Sequence, residues 1–289
     1  MNRIKGILYA AVSSSTFGLA PFFSITLLLA GFSAFEVLSY RWGVASIVLI
    51  VFGWLSGCNF RLAGKDWGVV FLLSLLRAVT SFSLIIAYQN IASGVASTIH
   101  FMYPLAVALA MMFFFREKKS LLVILAVLMS LLGAALLSLG ELEAKSGNTM
   151  VGLVAACVSV FSYAGYIVGV RTTRAVQINS TALTCYVMGL GTIFYLIGAY
   201  CTSGLQLVSD GYTWLIILGL ATASSHITLV QAIKYAGPTV ASILGAMEPL
   251  TAVVIGVFVF KELFTVNSAV GIILILLAVS IVVFRRQKS

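Results

Sequence analysis

The chain has 289 residues, of which 61% are hydrophobic and only 9% are charged, whereas soluble proteins carry about 25% charged residues. The charged residues are clustered and leave long apolar runs between them, which excludes a soluble globular domain and indicates a polytopic membrane protein. The net charge of +9 would suggest nucleic-acid binding in a soluble chain. In a membrane protein it reflects topology, so no nucleic-acid partner is expected.

Ten apolar stretches follow one another, each long enough for a membrane-spanning helix of about 20 residues. The sequence therefore predicts an all-α integral membrane protein with ten transmembrane helices, here called spans 1 to 10. They cover residues 5–29, 34–56, 67–90, 94–115, 120–139, 150–171, 180–203, 212–235, 238–260 and 265–284. Of the 17 lysines and arginines, 13 lie on one side of this arrangement and two on the other, which predicts cytoplasmic termini.

The second half of the chain repeats the first. Residues 87–117 align without a gap with residues 232–262 at a shift of 145, which brings Pro104 onto Pro249 and Glu117 onto Glu262. Weaker matches at shifts of 146 and 147 extend the repeat, so two five-helix units are expected at 1–145 and 146–289. Because five is odd, the second unit enters the membrane from the opposite side. The two units are therefore predicted to be inverted repeats, which support alternating access around a mid-membrane site.

Two charged residues are expected near the membrane midplane, where a charge is costly and usually faces a cavity or a partner. Arg77 lies near the middle of span 3, and Glu248 near the middle of span 9. They could form a structural ion pair between the repeats. They could instead bind a zwitterion, with Arg77 taking its carboxylate and Glu248 its ammonium group. Glu248 could also be the proton acceptor of an antiporter.

The other titratable residues within the spans favour structural roles. His100 and His226 are predicted to be hydrogen-bonded packing residues, although a proton-carrying role stays open. Arg41, near the end of span 2, is predicted to snorkel or to act as a gate. No further ligand lies at metal spacing, so neither a metal nor a cofactor is expected. The cysteines stand singly and are predicted to be small core residues, namely Cys58, Cys157, Cys185 and Cys201.

Polar and aromatic residues recur at helical spacing on spans 1, 3, 4 and 6, which favours a wet cavity over ordinary helix packing. Together with the charges they define the candidate substrate-binding residues Phe17, Arg77, Ser81, Ser97, His100, Tyr103, Tyr163, Tyr166, His226 and Glu248. Three prolines should bend their helices, as static kinks or as hinges, namely Pro21, Pro104 and Pro249.

The whole chain resembles the EamA-like branch of the drug/metabolite transporter superfamily, in particular bacterial exporters of aromatic and neutral amino acids. Its most specific features are the mid-helix prolines of spans 4 and 9 and the ends of these spans, from Phe113 to Glu117 and from Phe258 to Glu262. The resemblance implies a central cavity lined by spans 1, 3, 4, 6, 8 and 9. It also implies that spans 5 and 10 pack outside or form dimer contacts, so the chain is expected to be a monomer or a homodimer.

The leading hypothesis is a secondary transporter of the bacterial inner membrane that exports a small amphipathic metabolite, with an amino acid as the first candidate and a coupled proton as an option. Efflux of lipophilic cations or drugs is the alternative, with Glu248 and aromatic rings as their partners. Nucleosides and sugars are further candidates on the same fold. An intramembrane enzyme is the remote alternative, since the chain contains neither GxSxG nor HExxH. ATP is not implied, because no GxxxxGK[ST] motif occurs.

Overall fold

The computed structural model describes residues 2–117, 120–138, 147–202, 204, 212–251 and 265–284, and these residues contain helices and connections but no strand. The α-helices are α1 (Asn2–Phe17), α2 (Ala20–Leu29), α3 (Ala34–Leu55), α4 (Trp67–Asn90), α5 (Ser93–His100), α6 (Tyr103–Phe113), α7 (Leu121–Ser138), α8 (Thr149–Thr172), α9 (Ser180–Thr202), α10 (Tyr212–Ala236), α11 (Pro238–Leu244) and α12 (Val266–Phe284). Short 3-10 helices occur at Gly64–Asp66 and Arg174–Gln177.

Six helical stretches within the described part of the chain are long and apolar enough to cross a membrane. They are Ala34–Leu55, Gly64–Asn90, Val95–Phe113, Thr149–Thr172, Ser180–Thr202 and Leu215–Ala236. Two shorter apolar helices cover Leu121–Leu136 and Ala269–Ile281. The structure thus confirms an all-helical chain with several helices of membrane-spanning length, while the number of ten spans stays a prediction.

The outer surface of these helices is apolar. Trp54, Phe161 and Tyr200 expose 78%, 72% and 86% of their surface, and leucine, isoleucine and valine side chains surround them. A soluble monomer rarely exposes apolar patches of this extent. The interior is richer in small and hydroxyl residues, which let helices approach closely in a bilayer. The outer surface is therefore suited to lipid.

Each of the three predicted kink positions coincides with an interruption of the helix. α1 ends at Phe17 and α5 at His100, each four residues before a proline of the next helix, Pro21 and Pro104. α11 ends at Leu244, and residues 247–251, which include Pro249, are helical again after a turn. Proline lacks an N–H and clashes with the carbonyl four residues earlier, which explains these positions. α3, α4, α8, α9 and α10 contain no proline and run unbroken for 22 to 25 residues.

The main helix contacts join the two halves of the sequence. α1 packs along α10, α3 along α9, α4 along α8, and α7 along α12. Three polar contacts lie near the end of the molecule where α4 starts and where α6, α8 and α10 end. They join Arg174 Nε to Asp66 Oδ1 at 2.8 Å, Thr239 Oγ1 to Glu117 Oε2 at 2.7 Å, and Arg171 Nη1 to the Lys234 carbonyl at 3.0 Å. At the opposite end, the Asn148 N–H donates to Asn90 Oδ1 at 3.0 Å.

The prediction that the cysteines are core residues is wrong for Cys157 and Cys201, which are exposed because their positions fall on the outward faces of α8 and α9. Several residues of the predicted charge pattern and repeat lie outside the described residues. These are Lys118, Lys119, Lys145, Phe258, Lys261, Glu262 and the C-terminal residues from Arg285 onward.

Candidate functional site

A small cavity lies where the interrupted helices meet the continuous ones. Its volume is about 50 Å³, where one water molecule needs about 10–15 Å³ on the same measure. Its lining contains three charged residues, Arg41, Arg77 and Glu248, together with aromatic, hydroxyl and apolar side chains. The other lining residues are Phe17, Ala20, Ser24, Thr80, Ser81, Leu84, Ile85, Tyr88, His100 and Tyr163.

Helix α4 contributes one face to the cavity. Arg77, Thr80, Ser81, Leu84 and Tyr88 recur at positions i, i+3, i+4, i+7 and i+11, so they share one side of the helix. The α4 lining residues begin with Arg77, just before the middle of this helix, and the others belong to its second half. The lining residues of α1 and α2 likewise run from the end of α1 into α2. The cavity therefore extends from the middle of the molecule away from the end that carries the N-terminus.

Arg77 is held by aromatic rings rather than by a carboxylate. Its guanidinium carbon lies 5.5 Å from the ring centre of Phe17 and 4.8 Å from that of Tyr163. Nη1 donates to Ser81 Oγ at 3.2 Å, and Nε has no hydrogen-bond partner among the described residues. Only 5% of the residue is exposed. The side chain is therefore fixed in place with an unused donor.

Glu248 enters the cavity from the segment that follows the α11 turn. Its backbone N–H donates to the Gly245 carbonyl at 2.9 Å, and the residue is half-buried. With the residues that the structure describes, its carboxylate forms no hydrogen bond and no ion pair. Arg77 and Glu248 thus line the same cavity, but the ion pair considered from the sequence does not form here. Both charges are available to a third group.

Arg41 corrects a sequence prediction, because it does not snorkel. It is 8% exposed, lines the cavity, and its Nε donates to Thr222 Oγ1 of α10 at 2.9 Å. Helix α3 starts at Ala34 with a capping box between Ser33 and Glu36, which sets Arg41 two turns inside the helix. There the side chain faces α10 and the cavity.

An aromatic cluster covers one wall of the cavity. The ring of His100 stacks on Tyr163 with centres 5.4 Å apart, and its Nδ1 lies 2.8 Å from Ser159 Oγ. Tyr103 packs against Tyr163 at 4.6 Å, and Tyr166 stacks on it at 6.5 Å. Tyr103 and Tyr166 are fully buried behind this wall. They support Tyr163 and do not line the cavity.

His226 and Ser97 also stand outside the lining. His226 is buried with its ring 4.8 Å from that of Phe17, and its Nδ1 lies 2.8 Å from the Thr222 carbonyl. This contact agrees with the predicted packing role. Ser97 Oγ lies 3.2 Å from the hydroxyl of Tyr88. Both residues therefore support side chains of the cavity from behind.

The structure brings six of the ten predicted substrate-binding residues to the cavity and sets the others one layer behind. The six are Phe17, Arg77, Ser81, His100, Tyr163 and Glu248, and the four behind are Ser97, Tyr103, Tyr166 and His226. The candidate list omitted Arg41, Ser24 and Tyr88, all of which line the cavity. Helical spacing signals two of them, because Ser24 lies seven residues after Phe17 and Tyr88 seven after Ser81.

Within the described part of the chain, no three His, Cys, Asp or Glu residues come together as metal ligands. The side chains that line the cavity offer charge pairing, hydrogen bonding and aromatic contact. A charged cavity where interrupted helices meet, inside a bundle with an apolar surface, is a feature of membrane transporters.

The comparisons with known proteins identify the family. Residues 4–139 match the sequence model of the EamA-like transporter family, and residues 150–284 match it again. The chain therefore belongs to the EamA-like transporter family, as its sequence features predicted. The uncharacterized transporter YojE of Bacillus subtilis (strain 168) is 26% identical over 277 residues, covering 92% of this chain and 89% of YojE. A solved crystal structure with 16% identity gives a TM-score of 0.80 and covers 99% of each chain, which shows the fold alone.

Proposed function

We propose that this membrane transporter exports a small amphipathic metabolite, with an amino acid as the first candidate, by alternating access around the central cavity. One observation carries the proposal: Arg77 and Glu248 line the same cavity and do not pair with each other. A zwitterion carries the two complementary charges, so it would stabilise both residues at once. The aromatic wall would accept its apolar side chain.

The proposed architecture is ten spans in two inverted five-helix repeats, residues 1–145 and 146–289, with both termini in the cytoplasm of a bacterium. The two matches to one family model support the duplication. The helix contacts support the inversion. In the two repeats α1 corresponds to α8, and α4 corresponds to α10. The contact of α1 with α10 in the structure therefore has its equivalent in the contact of α8 with α4. The contacts of α3 with α9 and of α7 with α12 each join a helix to its own counterpart in the other repeat, as a twofold axis between the repeats requires. This orientation directs the cavity toward the cell exterior.

The cavity of about 50 Å³ is smaller than the roughly 300–1,000 Å³ of a pocket that holds a small ligand. Substrate entry therefore requires the helices to separate. The interruptions before Pro21, Pro104 and Pro249 are suitable places for this movement, and we propose hinge roles for them. Efflux of a lipophilic cation is less suited to the site, because two arginines face the cavity beside the single Glu248.

Uptake of radiolabelled amino acids into inverted membrane vesicles tests the function, with and without a proton gradient. We expect saturable uptake of at least one amino acid and its loss in Glu248→Gln, which removes the charge opposite the ammonium group. Glu143→Gln, the same chemical change in a predicted loop, serves as the control and should transport normally. If no amino acid shows saturable uptake under either condition, the proposed substrate is wrong.

A further inference from the structure

The charges around the cavity do not balance. Among the residues that the structure describes, two guanidinium groups, those of Arg41 and Arg77, line the cavity with one carboxylate, that of Glu248. We infer that the preferred substrate carries a net negative charge, with two acidic groups and one amino group. This inference rests on the transport function proposed above and narrows its substrate class.

No other described residue supplies the missing negative charge at the cavity. His100 lines the cavity, but a histidine side chain is either neutral or positively charged and therefore supplies no negative charge. Glu36 is the acidic residue of α3, but its Oε2 accepts the Ser33 backbone N–H at 2.8 Å in the capping box, and it does not line the cavity. Glu248 therefore faces two cations. A neutral zwitterion would leave one of these cations uncompensated.

Both arginines have N–H groups that can donate hydrogen bonds to a ligand. Arg41 uses Nε for Thr222, and its two terminal nitrogens form no hydrogen bond within the described part of the chain. Arg77 has a free Nε and is fixed by the rings of Phe17 and Tyr163. A guanidinium carries five N–H donors in a planar fork that matches a carboxylate. Leaving such a group buried and unpaired is costly, so an anion that pairs with both is favoured.

The two arginines are also separate binding points. Arg41 is anchored on α3 through its bond to α10, and Arg77 lies on α4 between rings from α1 and α8. Glu248 approaches from the segment after α11. One acidic group at each arginine and an amino group at Glu248 would use all three charges. Amino dicarboxylates such as aspartate and glutamate have this arrangement.

Transport measurements test the charge preference directly. Uptake into inverted vesicles is compared for aspartate and glutamate, for leucine and phenylalanine, and for lysine. We expect the acidic amino acids to have the highest kcat/KM. Arg41→Gln should lower the acidic-to-neutral ratio of kcat/KM by about tenfold or more, the loss expected for one charge-assisted hydrogen-bonded pair.

Two variants serve as controls for Arg41→Gln, one that keeps the charge at position 41 and one that removes an arginine elsewhere. Arg41→Lys keeps the charge and should keep most of the preference for acidic amino acids. Arg61→Gln removes an exposed arginine in a loop and should leave the ratio unchanged. A wild-type preference for neutral amino acids, or an Arg41→Gln ratio equal to that of the wild type, overturns the inference.

A binding measurement separates this inference from the transport proposal. The purified full chain in detergent is heated with aspartate, with succinate or with leucine, and the unfolding midpoint is recorded. We expect the two dicarboxylates to raise the midpoint of the wild type more than leucine does, and to lose this effect in Arg41→Gln. That result without any amino-acid uptake would refute the proposed transport and keep the anion site. Equal midpoints with all three compounds overturn the anion site.

Discussion

The guanidinium of Arg77 lies between two aromatic faces, one from each half of the chain. The two rings belong to Phe17 and Tyr163, which stand 146 positions apart, the shift that relates spans 1 and 6. A buried cation–π contact contributes about 0.5–2 kcal/mol, and a charge at mid-bilayer costs about 2.5–3.5 kcal/mol. The two contacts therefore offset much of this cost. They keep the cation in place while its Nε stays available.

Arg77→Lys tests whether the shape of this cation matters in addition to its charge. Lysine keeps the charge but has no planar fork and stacks poorly between rings. We expect kcat/KM for the transported substrate to fall by about tenfold or more, the loss of one charge-assisted hydrogen bond. Arg61→Lys is the matched control, since Arg61 is an exposed loop residue away from the cavity. A wild-type kcat/KM in Arg77→Lys would contradict this role.

At the scale of the helices, the interruptions bring backbone into close contact beside the cavity. Gly18 lies in the turn between α1 and α2, where an added Cβ would stand 2.7 Å from the Glu248 carbonyl oxygen and 2.8 Å from Thr251 Cβ. Only glycine allows this approach. The turn between α1 and α2 thus packs directly on the segment that carries Glu248.

Gly18→Ala should therefore destabilise the protein, because the new methyl group forces these two segments apart. Overpacking of this kind costs about 1–3 kcal/mol. Thermal unfolding in detergent, followed by transport, measures the effect. Gly68→Ala provides the comparison, since a Cβ there meets nothing within 4 Å and alanine favours the α4 helix. Equal unfolding midpoints for the two variants would show that the contact at Gly18 is unimportant.

At the scale of the whole molecule, the cavity occupies one side of the bundle. Its lining on α4 ends at Tyr88, near the contact between Asn90 and Asn148. The helix ends that are joined through Asp66 and through Glu117 lie on the other side of the molecule. In the proposed orientation, the described conformation is closed toward the cytoplasm. Alternating access then requires the contacts around Asp66 and Glu117 to open.

Cysteine labelling on intact cells tests this asymmetry. In a chain whose four native cysteines are replaced by serine, Leu84→Cys should react with a membrane-impermeant thiol reagent added outside, because Leu84 lines the cavity. Leu73→Cys, three turns earlier on α4 and fully buried, should not react. Substrate should slow the labelling of Leu84→Cys. Equal labelling at both positions would contradict the proposed direction of the cavity.

Much of this arrangement could be predicted from the sequence, since it depends on local properties. The apolar runs predicted helices of membrane-spanning length, and the features at Phe113 to Glu117 predicted the family. The chain is interrupted before Pro21, Pro104 and Pro249 because proline acts on the carbonyl four residues earlier, within the same helix. Helical spacing likewise predicted the polar face of α4, which needs no knowledge of a neighbouring helix.

Only the tertiary structure decided which of these residues meet. The orientation of Arg41 toward Thr222, the separation of Arg77 from Glu248, and the burial of Tyr166 behind Tyr163 depend on how distant helices rotate and pack. Two residues on different helices can share a depth in the membrane and still face different neighbours. The sequence by itself determined the family and the helices that carry the charges. The packing of α3, α4 and the segment after α11 determined that, among the described residues, two cations and one carboxylate line the same cavity.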